Sequence, residues 1–414
     1  MQESRTGIGG QSKKMRFPEA RDMLLEHIEP VATEKVSLEE LWGRVIAEDV
    51  SARMNVPHYE RSPLDGYAVR SSDTSSATEN SPVALKIACE IKAGDAADRL
   101  LKSGEAAKIL TGAPIPDGAD AVVKYEETLY TADSVTVLRP LSAGENIIRI
   151  GEDVKTGDTL VGGGTVADTA VLGLLASQGI AEVEVYRRPD VAVVSTGNEI
   201  AEVGAELSGS RIYNSNRYML AAELERCGCR AVYEGCAGDD MSGISRLLSR
   251  VLSSYDAVVI TGGVSAGDYD LVPEALENAG VDILVHGVKM KPGMACVYGM
   301  YRSKPVIALS GNPASAITNF YCIGRCVLRK YSGAADYVPE TVQIRMLGEF
   351  SKKSGGDRIL RGQMKVENGM ICMDPSPDQG NVVIRSLRAA NLLAVVPMER
   401  GPVAAGDVLD GFMI

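Results

Sequence analysis

The chain has 414 residues, more than one hydrophobic core usually organises, so about two to four domains are expected. Its 55 acidic residues outnumber its 43 basic ones, which argues against general nucleic-acid binding because such proteins neutralise phosphates with lysine and arginine. The eight cysteines show no CxxC pair and no zinc-like spacing, and the chain has neither a long apolar run nor a secretory segment, so we expect reduced thiols, a cytoplasmic location and no membrane contact.

The first half of the chain predicts a short helical region followed by a β-rich domain. Residues 1–14 are polar and rich in glycine and serine, which predicts a disordered tail. The spacing of apolar residues predicts helices over 17–28 and 37–48, the second begun by a capping box between Ser37 and Glu40. A helix over 167–178 is expected to end at Gly179. Between these helices, short apolar segments separated by proline and glycine predict strands at 68–70, 83–91, 106–110, 121–125 and 135–138.

From residue 188 the pattern changes to strands that alternate with helices. The predicted strands are 191–195, 230–236, 257–261, 281–285 and 305–309. The predicted helices are 215–226, 242–253, 271–278 and 314–329. This alternation is typical of a mostly parallel sheet, and continuous apolar strands are typical of burial on both faces. The last part of the chain predicts a small all-β domain, with strands at 341–347, 358–366, 370–373 and 391–396. The sequence therefore predicts an α/β multidomain protein.

Glycine turns follow two of the predicted central strands. One contains Thr196 and Gly197, and the other contains Gly262, Gly263 and Ser265. Ligands of open α/β sheets bind outside the carboxyl ends of the strands, and successive backbone amides in glycine turns form anion-binding concavities. The same turns are also common where glycine only allows close packing. Their occurrence after two strands of one sheet favours a phosphate site.

Three acidic residues also follow central strands. Glu199, Asp239 and Asp270 come just after three different predicted strands. Carboxylates gathered at one sheet edge need a cation, and Mg²⁺ takes one or two carboxylates together with substrate phosphates. Alternatively, each acid caps the N-terminus of the following helix. The spacing leaves the two interpretations open.

Cations follow at Lys289 and at Lys291, where Pro292 and Gly293 form a turn that would fix Lys291. A lysine held in this way suits a phosphate or an oxyanion, although surface lysines are usually only solvated. Three turns in the first half also carry polar side chains: Asp65, Thr111 and Asp153. Turn chemistry is a sufficient explanation for them, but rigid loops that hold a polar residue also build functional sites, and the sequence leaves both interpretations open.

Taken in order, eight segments resemble the molybdopterin molybdenumtransferase family, which includes the C-terminal E domain of gephyrin. Among them are Ser-Thr-Gly-Asn-Glu at 195–199, Lys-Pro-Gly at 291–293 and Gly-Asn-Pro at 311–313. The resemblance runs from about residue 17 to the end of the chain, and eight motifs in the right order are highly specific. The segments are residues 64–69, 111–120, 151–153, 195–199, 262–270, 291–293, 311–316 and 389–391.

The resemblance implies a four-part subunit that forms a homodimer, with the active site at the subunit junction. The expected parts are an elongated dimerisation and linker domain, a β-rich domain, a central three-layer α/β molybdopterin-binding domain and a C-terminal barrel-like β domain, over 15–49 with 150–187, 50–149, 188–335 and 336–414. The implied reaction takes adenylylated molybdopterin and molybdate, inserts molybdenum and releases AMP, with Mg²⁺ as the cation.

The resemblance also implies roles for individual residues. Glu199, Asp239 and Asp270 would lie near the pterin phosphate and the metal. Lys291 and Arg361 would contact molybdate. Further cleft residues, which the partner subunit would supply, are Asp65, Thr111 and Asp153.

The chain departs from the family pattern at several positions of the expected oxyanion pocket. A basic residue is expected where Gly287 stands, and other residues are expected at Met294, Ala295, Ser310 and Asn381. These departures leave open a paralogue that uses tungstate or a scaffold protein with a decayed site. An enzyme that adenylylates molybdopterin is a third interpretation, which the additional domains on both sides of the α/β region disfavour.

Overall fold

The computed structural model describes residues 14–265 and 271–414. The chain divides into two units. The first unit consists of Met1–Glu48, Gly163–Asp168 and Glu182–Ile414, and the second consists of Asp49–Gly162 and Thr169–Ala181. The predicted tail over 1–14 lies outside the described residues except for Lys14. The four-part division stays a prediction.

The first unit begins with α1 (Phe17–Glu26), β1 (Thr33–Ser37) and β2 (Val45–Ile46). Helix α1 confirms the first predicted helix. The helix predicted over 37–48 is wrong, because Leu38–Glu40 forms only one 3₁₀ turn. The hydroxyl of Ser37 meets the carboxylate of Glu40 at 3.4 Å and caps no backbone amide. Strand β2 instead pairs with a later strand, so tertiary pairing overrides the local helical spacing.

The second unit is built on a six-stranded sheet. The five strands predicted in this region are confirmed to within two residues. Alternate residues of the strand Gly66–Val69 pack in two separate hydrophobic cores. Tyr67 and Val69 pack on one face of the sheet, and Ala68 packs on the other. The elements are β3 (Val50–Ser51), β4 (Gly66–Val69), β5 (Val83–Ile91), β6 (Glu105–Ile109), β7 (Ala121–Lys124), β8 (Thr128–Tyr130), β9 (Ser134–Val137), β10 (Thr159–Val161) and α2 (Thr169–Ser177), with 3₁₀ turns at Ser71–Thr74 and Tyr125–Glu127. The sheet has the order β7-β4-β6-β5-β9-β8.

The first unit continues with the α/β region. Its strands are β11 (Glu182–Tyr186), β12 (Asp190–Thr196), β13 (Ile200–Ala201), β14 (Ile212–Tyr213), β15 (Arg230–Ala237), β16 (Ala257–Thr261), β17 (Asp282–His286), β18 (Met290–Lys291), β19 (Cys296–Tyr301) and β20 (Lys304–Leu309). Its helices are α3 (Ser215–Arg226), α4 (Met241–Ser254), α5 (Val272–Asn278), α6 (Pro313–Asn319) and α7 (Arg325–Tyr331), with the π-helical segment Phe320–Gly324 before α7.

The central sheet has the strand order β15-β12-β16-β20-β19-β17. Strands β15, β12, β16 and β20 pair in parallel, as predicted, whereas the unpredicted β19 runs antiparallel to both of its neighbours. Helices cover both faces. Val191 and Val193 pack with α3, α6 and α7, and Ala192 and Val194 pack with α4 and α5. The three-layer α/β prediction is confirmed.

The C-terminal strands close into a barrel. The C-terminal elements are β21 (Val342–Met346), β22 (Asp357–Glu367), β23 (Met370–Pro375), the 3₁₀ turn Ile384–Leu387, β24 (Leu392–Val396) and β25 (Val408–Met413). The strand order is β22-β23-β21-β25-β24, and β24 also pairs with β22, so the five strands form a ring to which β18 adds on the outside. The barrel-like prediction is confirmed, although the last strand had not been predicted. None of the helices in the described ranges has the length and apolar character needed to cross a bilayer.

Candidate functional site

The carboxyl ends of β12, β16 and β20 meet at one edge of the central sheet. Ser195 pairs with Thr261, and Thr261 pairs with Leu309. The amide of Gly262 donates to the Leu309 carbonyl at 2.9 Å. A Cβ atom on Gly262 would lie 2.5 Å from the carbonyl oxygen of Thr196 and 2.6 Å from its hydroxyl. Glycine is therefore required by the close approach and by its φ of +101°, and the structure brings Thr196 together with the Gly262–Gly263 turn.

Two buried oxygens at this edge have no hydrogen-bond partner among the described residues. Asn216 donates from Nδ2 to the Thr261 hydroxyl at 2.7 Å and to the Gly311 carbonyl at 2.9 Å. Because a carbonyl can only accept, these bonds fix the orientation of the amide. Its Oδ1, like the hydroxyl of Thr196, is buried and finds no hydrogen-bond partner within the described parts of the chain. An unsatisfied buried polar group costs about 1–3 kcal/mol, so these two oxygens make this edge a candidate site for a polar ligand.

Asn216 was not among the predicted site residues. Its sequence signal is the segment Asn214-Ser215-Asn216, at the start of a helix that follows the site turn. Asn214 has the ordinary capping role, because its side chain accepts from the amide of Arg217. The second asparagine, two residues later, carries the Oδ1 that has no partner among the residues described.

Glu199 and Asp239 lie beside the same turn, after β12. The amide of Asn198 donates to the Asp239 carboxylate at 3.1 Å. The Glu199 carboxylate lies over Gly197, since a Cβ atom there would be 2.5 Å from Oε2. Burial first, and then both of these carboxylates with Glu202, raise the pKa of the Cys236 thiol to about 11. The structure thus brings two of the three predicted acids to one turn.

The capping alternative fails for Asp239 but holds for its neighbour. Asp240 is the N-cap of α4 and accepts from the amide of Gly243 at 2.7 Å. Asp270 lies outside the described residues, so its predicted place beside the other acids is not described. Ser265, the last residue before that gap, is exposed. Within 14–265 and 271–414, no group of three or more His, Cys, Asp or Glu side chains is arranged to hold a metal ion.

A cleft of about 480 Å³ opens beside the Gly197–Asn198 turn and was not predicted. Its lining includes Glu202, Arg211, Arg217, Tyr233 and Cys236. The guanidinium carbon of Arg217 lies 3.9 Å from the centre of the Tyr233 ring, and the Tyr233 hydroxyl donates to Glu202 at 2.7 Å. Burial and this carboxylate raise the pKa of Tyr233, so it stays a neutral donor. The cleft offers cations, an aromatic ring and an acceptor to a polar ligand.

The Lys-Pro-Gly turn is anchored by α6. Gly293 has a φ of +97°, and a Cβ atom there would lie 2.9 Å from the Cβ of Asn319. Asn319 donates to the Gly293 carbonyl at 2.7 Å. Pro292 is buried, Lys289 is half-buried and Lys291 is exposed. The turn is therefore rigid while its lysine is free to meet a ligand.

Arg361 is completely buried on β22. It donates to the hydroxyls of Ser386 at 3.0 Å and Thr318 at 3.4 Å, and to the carbonyl of Gly380 at 3.1 Å. It forms no ion pair with a described carboxylate. Burial first, and then the nearby Arg358, lower its pKa to about 10. An anion would compensate this charge.

Lys291 and Arg361 leave their strands on opposite faces. Lys291 is in parallel register with Arg358, so these two side chains share a face. Arg361 is three residues further along β22 and leaves on the other face, towards α6. The two residues thus differ in strand face, while the Gly293 turn and Arg361 both contact α6, through Asn319 and Thr318.

In the second unit, Asp65 and Thr111 lie together. The carboxylate of Asp65 accepts from the Thr111 amide at 2.7 Å and from its hydroxyl at 2.8 Å. These two bonds lower the pKa of Asp65. Asp153 is exposed, and its amide donates to Val56. No hydrogen bond links it to Asp65 or Thr111 in the part of the unit that the structure describes.

Three family models match the chain and together cover most of it. Residues 15–179 match the MoeA N-terminal region, domains I and II. Residues 192–330 match a probable molybdopterin binding domain. Residues 343–411 match the MoeA C-terminal region, domain IV.

Individual relatives match over nearly their full length. A molybdopterin molybdenumtransferase of Staphylococcus aureus strain COL is 32% identical over 375 residues, covering 91% of this chain and 90% of the relative. One from Staphylococcus epidermidis strain ATCC 12228 is 30% identical, with 94% and 92% covered. The crystal structure of the molybdopterin biosynthesis moeA protein from Pyrococcus horikoshii OT3 is 31% identical, with a TM-score of 0.84 and 97% and 100% of the two chains covered. The chain therefore belongs to the molybdopterin molybdenumtransferase family.

Proposed function

We propose that this protein inserts molybdenum into molybdopterin, taking adenylylated molybdopterin and molybdate and releasing AMP. The observation that carries this proposal is the match of 32% identity over 91% of the chain to a protein named molybdopterin molybdenumtransferase. In this reaction molybdate is a substrate and not a resident cofactor. The edge formed by β12, β16 and β20 is the proposed place of the chemistry, since ligands of such sheets bind at the carboxyl ends of the strands.

The residues at this edge suit a bound pterin phosphate. The glycines at 197, 262 and 263 all have positive φ and bring backbone close to a ligand, as in anion-binding turns. Thr196 adds a buried hydroxyl without a partner in the described chain, and exposed Ser265 follows the second turn. Lys289, Lys291 and Arg361 supply positive charge for oxyanions. Electrostatic placement of this kind contributes much of the catalysis in many enzymes.

Mg²⁺ is part of the proposal, and the two described acids fit it. Glu199 and Asp239 present carboxylates at one turn. Two carboxylates suffice where substrate phosphates complete the coordination of the ion, as is usual for Mg²⁺. Bound there, the ion would neutralise phosphate charge in the substrate. Asp239 is held in place for this role by the Asn198 amide, and Asp270 belongs to the same proposed set by its family motif.

We further propose a homodimer in the cytoplasm. The dimer and the contribution of Asp65, Thr111 and Asp153 rest on the family resemblance. The hydrogen bonds from Thr111 keep Asp65 ionised, which suits a residue that meets a cation or a donor. All eight cysteines are free, which supports a reducing compartment.

The proposal is tested by measuring AMP release. The purified protein is incubated with adenylylated molybdopterin, Mg²⁺ and increasing molybdate, and AMP is quantified by chromatography. We expect release that depends on molybdate, and a fall of about 100-fold or more in Asp239→Asn because a positioned carboxylate is lost. Glu206→Gln, which removes an exposed acid, is the matched control and should leave the rate unchanged.

The same assay separates the alternatives. No AMP at any molybdate concentration would favour a scaffold protein. Release with tungstate but not with molybdate would identify a paralogue with altered metal preference. Turnover of ATP with unmodified molybdopterin would instead indicate an adenylylating enzyme.

A further inference from the structure

The cleft beside the Gly197–Asn198 turn lies on the outer side of the central sheet. Strand β15 is the edge strand of this sheet, and its end lines the cleft together with the turn after β12. Strands β16 and β20 lie on the other side of β12. A ligand held at the Gly197–Asn198 turn therefore has two directions in which to extend, along the β12–β16–β20 edge or outwards into the cleft. The cleft volume of about 480 Å³ is in the usual range of small-molecule sites.

The first turn of α3 separates these two directions. Asn216 and Arg217 are consecutive in α3, and consecutive helical side chains point about 100° apart. Asn216 donates to Thr261 at the end of β16 and to Gly311 just after β20. Arg217 lies instead over the ring of Tyr233, which belongs to β15. The start of α3 thus presents a different side chain to each direction.

One wall of the cleft is a planar, cationic surface. The guanidinium carbon of Arg217 lies 3.9 Å from the centre of the Tyr233 ring and 4.8 Å from that of Tyr218. An ion pair with Glu202 holds the guanidinium in this position, and the Arg217 side chain is 28% exposed. Arginine planes and aromatic rings are the surfaces on which proteins stack nucleobases. A flat heterocycle therefore suits this wall.

Glu202 adds an acceptor beside the planar wall. Its carboxylate accepts from the Tyr233 hydroxyl at 2.7 Å and from Arg217. An ionised carboxylate has about four acceptor positions, so these two bonds leave room for a further donor. The Glu202 side chain is 45% exposed. In dinucleotide-binding sheets an acidic residue accepts from the 2′-hydroxyl of a ribose. The wall and the carboxylate together match a ribonucleoside.

The cleft begins where the proposed phosphate and Mg²⁺ site ends. Gly197 and Asn198 line the cleft. The amide of Asn198 donates to the Asp239 carboxylate at 3.1 Å, and the Asp239 amide donates to the Asn198 side chain at 3.4 Å. One turn thus belongs to both places, so a nucleotide phosphate bound at this turn would have the cleft directly beside it.

We propose that this cleft binds the adenosine half of the adenylylated substrate, with the base against Arg217 and Tyr233 and the ribose 2′-hydroxyl on Glu202. The inference rests on the proposed function and deepens it, because it leaves the β12–β16–β20 edge to the pterin. A pterin is also a flat ring with N–H donors. The open cleft suits the half that departs as AMP, whereas the buried oxygens of Thr196 and Asn216 suit the half that stays bound.

Binding of AMP to the full-length protein tests the ribose contact. Isothermal titration in the presence of Mg²⁺ should show that the wild type binds AMP about tenfold more tightly than 2′-deoxy-AMP, the usual scale for a hydrogen bond to a charged group. Glu202→Gln should lose this preference. Glu206→Gln removes an exposed acid four residues later and is the matched control, which should keep the preference. An equal affinity of the wild type for both nucleotides would overturn the ribose contact.

Variants of Arg217 test the base contact. Arg217→Met should weaken AMP binding by about tenfold or more, the scale of a lost stacking surface, and should leave the affinity for ribose 5-phosphate unchanged because that compound has no base. Arg217→Lys keeps the charge but not the plane, so it should also bind AMP weakly. Arg246→Met removes an exposed arginine of α4 and should bind AMP as the wild type does. Full AMP affinity in Arg217→Lys would overturn the stacked base.

Two other results would overturn the assignment to adenosine. One is a wild type that does not bind AMP. The other is an Arg217→Met variant that binds AMP normally but has lost affinity for unmodified molybdopterin, since the cleft would then hold the pterin.

The inference and the proposed function fail in distinguishable ways. If AMP bound with the expected preferences but no AMP were released from adenylylated molybdopterin and molybdate, the proposed transfer would be wrong while the nucleotide cleft would stand. If AMP were released but its affinity did not depend on Glu202 or Arg217, the transfer would stand and the nucleotide cleft would be wrong.

Discussion

At the scale of single residues, two threonines at adjacent strand ends differ in the hydrogen bonding of their hydroxyls. The hydroxyl of Thr261 accepts from Asn216 at 2.7 Å and donates to the Ser310 carbonyl at 3.3 Å. The hydroxyl of Thr196 is buried and has no partner among the residues that the structure describes. Polar groups that are buried and unsatisfied in a native protein are rare, and function is one reason to retain them. The comparison separates a residue that supports the fold from one that we propose binds a ligand.

This difference predicts opposite effects of one substitution. Thr196→Val should leave the free energy of unfolding unchanged or raise it by about 1 kcal/mol, because an unsatisfied hydroxyl is replaced by a methyl group. Thr261→Val should lower it by about 1–3 kcal/mol, since a buried Asn216 donor loses its acceptor. Urea unfolding of both variants measures these changes.

Activity of the same variants completes the test. Because Thr196 is expected to meet the pterin substrate, Thr196→Val should raise the KM for adenylylated molybdopterin by about tenfold, the loss of one hydrogen bond in a dry site. A variant that is as stable as the wild type and equally active would show that the Thr196 hydroxyl has no part in binding.

At the scale of elements, the turn after β16 shows why glycine stands where the sheet meets the site. Gly262 combines a φ of +101° with a backbone approach of 2.5 Å between its missing Cβ and the Thr196 carbonyl. Gly280, in the turn after α5, has a φ of +82° but no atom within 4 Å of the same position. A side chain at Gly280 would therefore meet only backbone strain, whereas a side chain at Gly262 would also collide with Thr196.

Alanine substitution should distinguish these two causes. Gly280→Ala should cost about 1 kcal/mol, the typical penalty for a side chain at positive φ. Gly262→Ala should cost at least about 2 kcal/mol more, because the Thr196 strand end must also move. Chemical denaturation gives both values. Equal losses for the two variants would show that the close approach to Thr196 relaxes freely.

At the scale of the whole molecule, the candidate residues are distributed over both units. Asp65, Thr111 and Asp153 belong to the second unit, whereas Glu199, Asp239 and Arg361 belong to the first. The family resemblance assigns all of them to one reaction and the first three to the partner subunit. An active homodimer in which each subunit supplies part of a site makes this assignment testable, because two-fold symmetry gives two sites per dimer.

Mixed dimers provide the measurement. The wild type should behave in light scattering as a dimer of the 43.9 kDa chain. Asp65→Asn and Asp239→Asn should each be nearly inactive alone. Dimers formed by unfolding and refolding an equal mixture should regain about a quarter of wild-type activity, since half of them carry one intact site. No recovery would show that both residues act within the same subunit.

Local patterns in the sequence were sufficient to predict most of the helices and strands. Five strands of the central sheet, the helices between them and five strands of the second unit were predicted from apolar periodicity and from the positions of glycine and proline. The prediction works because each element must bury one face, and the buried positions recur with a fixed period. The strand–helix order also predicted the glycine turns and acids at one edge of the sheet. Where a tertiary partner overrode the local pattern, as at Val45–Ile46 and in strand β19, the prediction failed or was absent.

The tertiary structure alone decided which polar and charged groups have partners. Whether the oxygens of Asn216 and Thr196 are satisfied depends on residues far away in sequence, such as Gly311. The same holds for Arg358, whose neighbouring acid is taken by Arg16, and for Lys291, which shares a face with Arg358 and not with Arg361. Periodicity reports which face of an element is buried, whereas charge compensation depends on contacts made only when distant segments pack together.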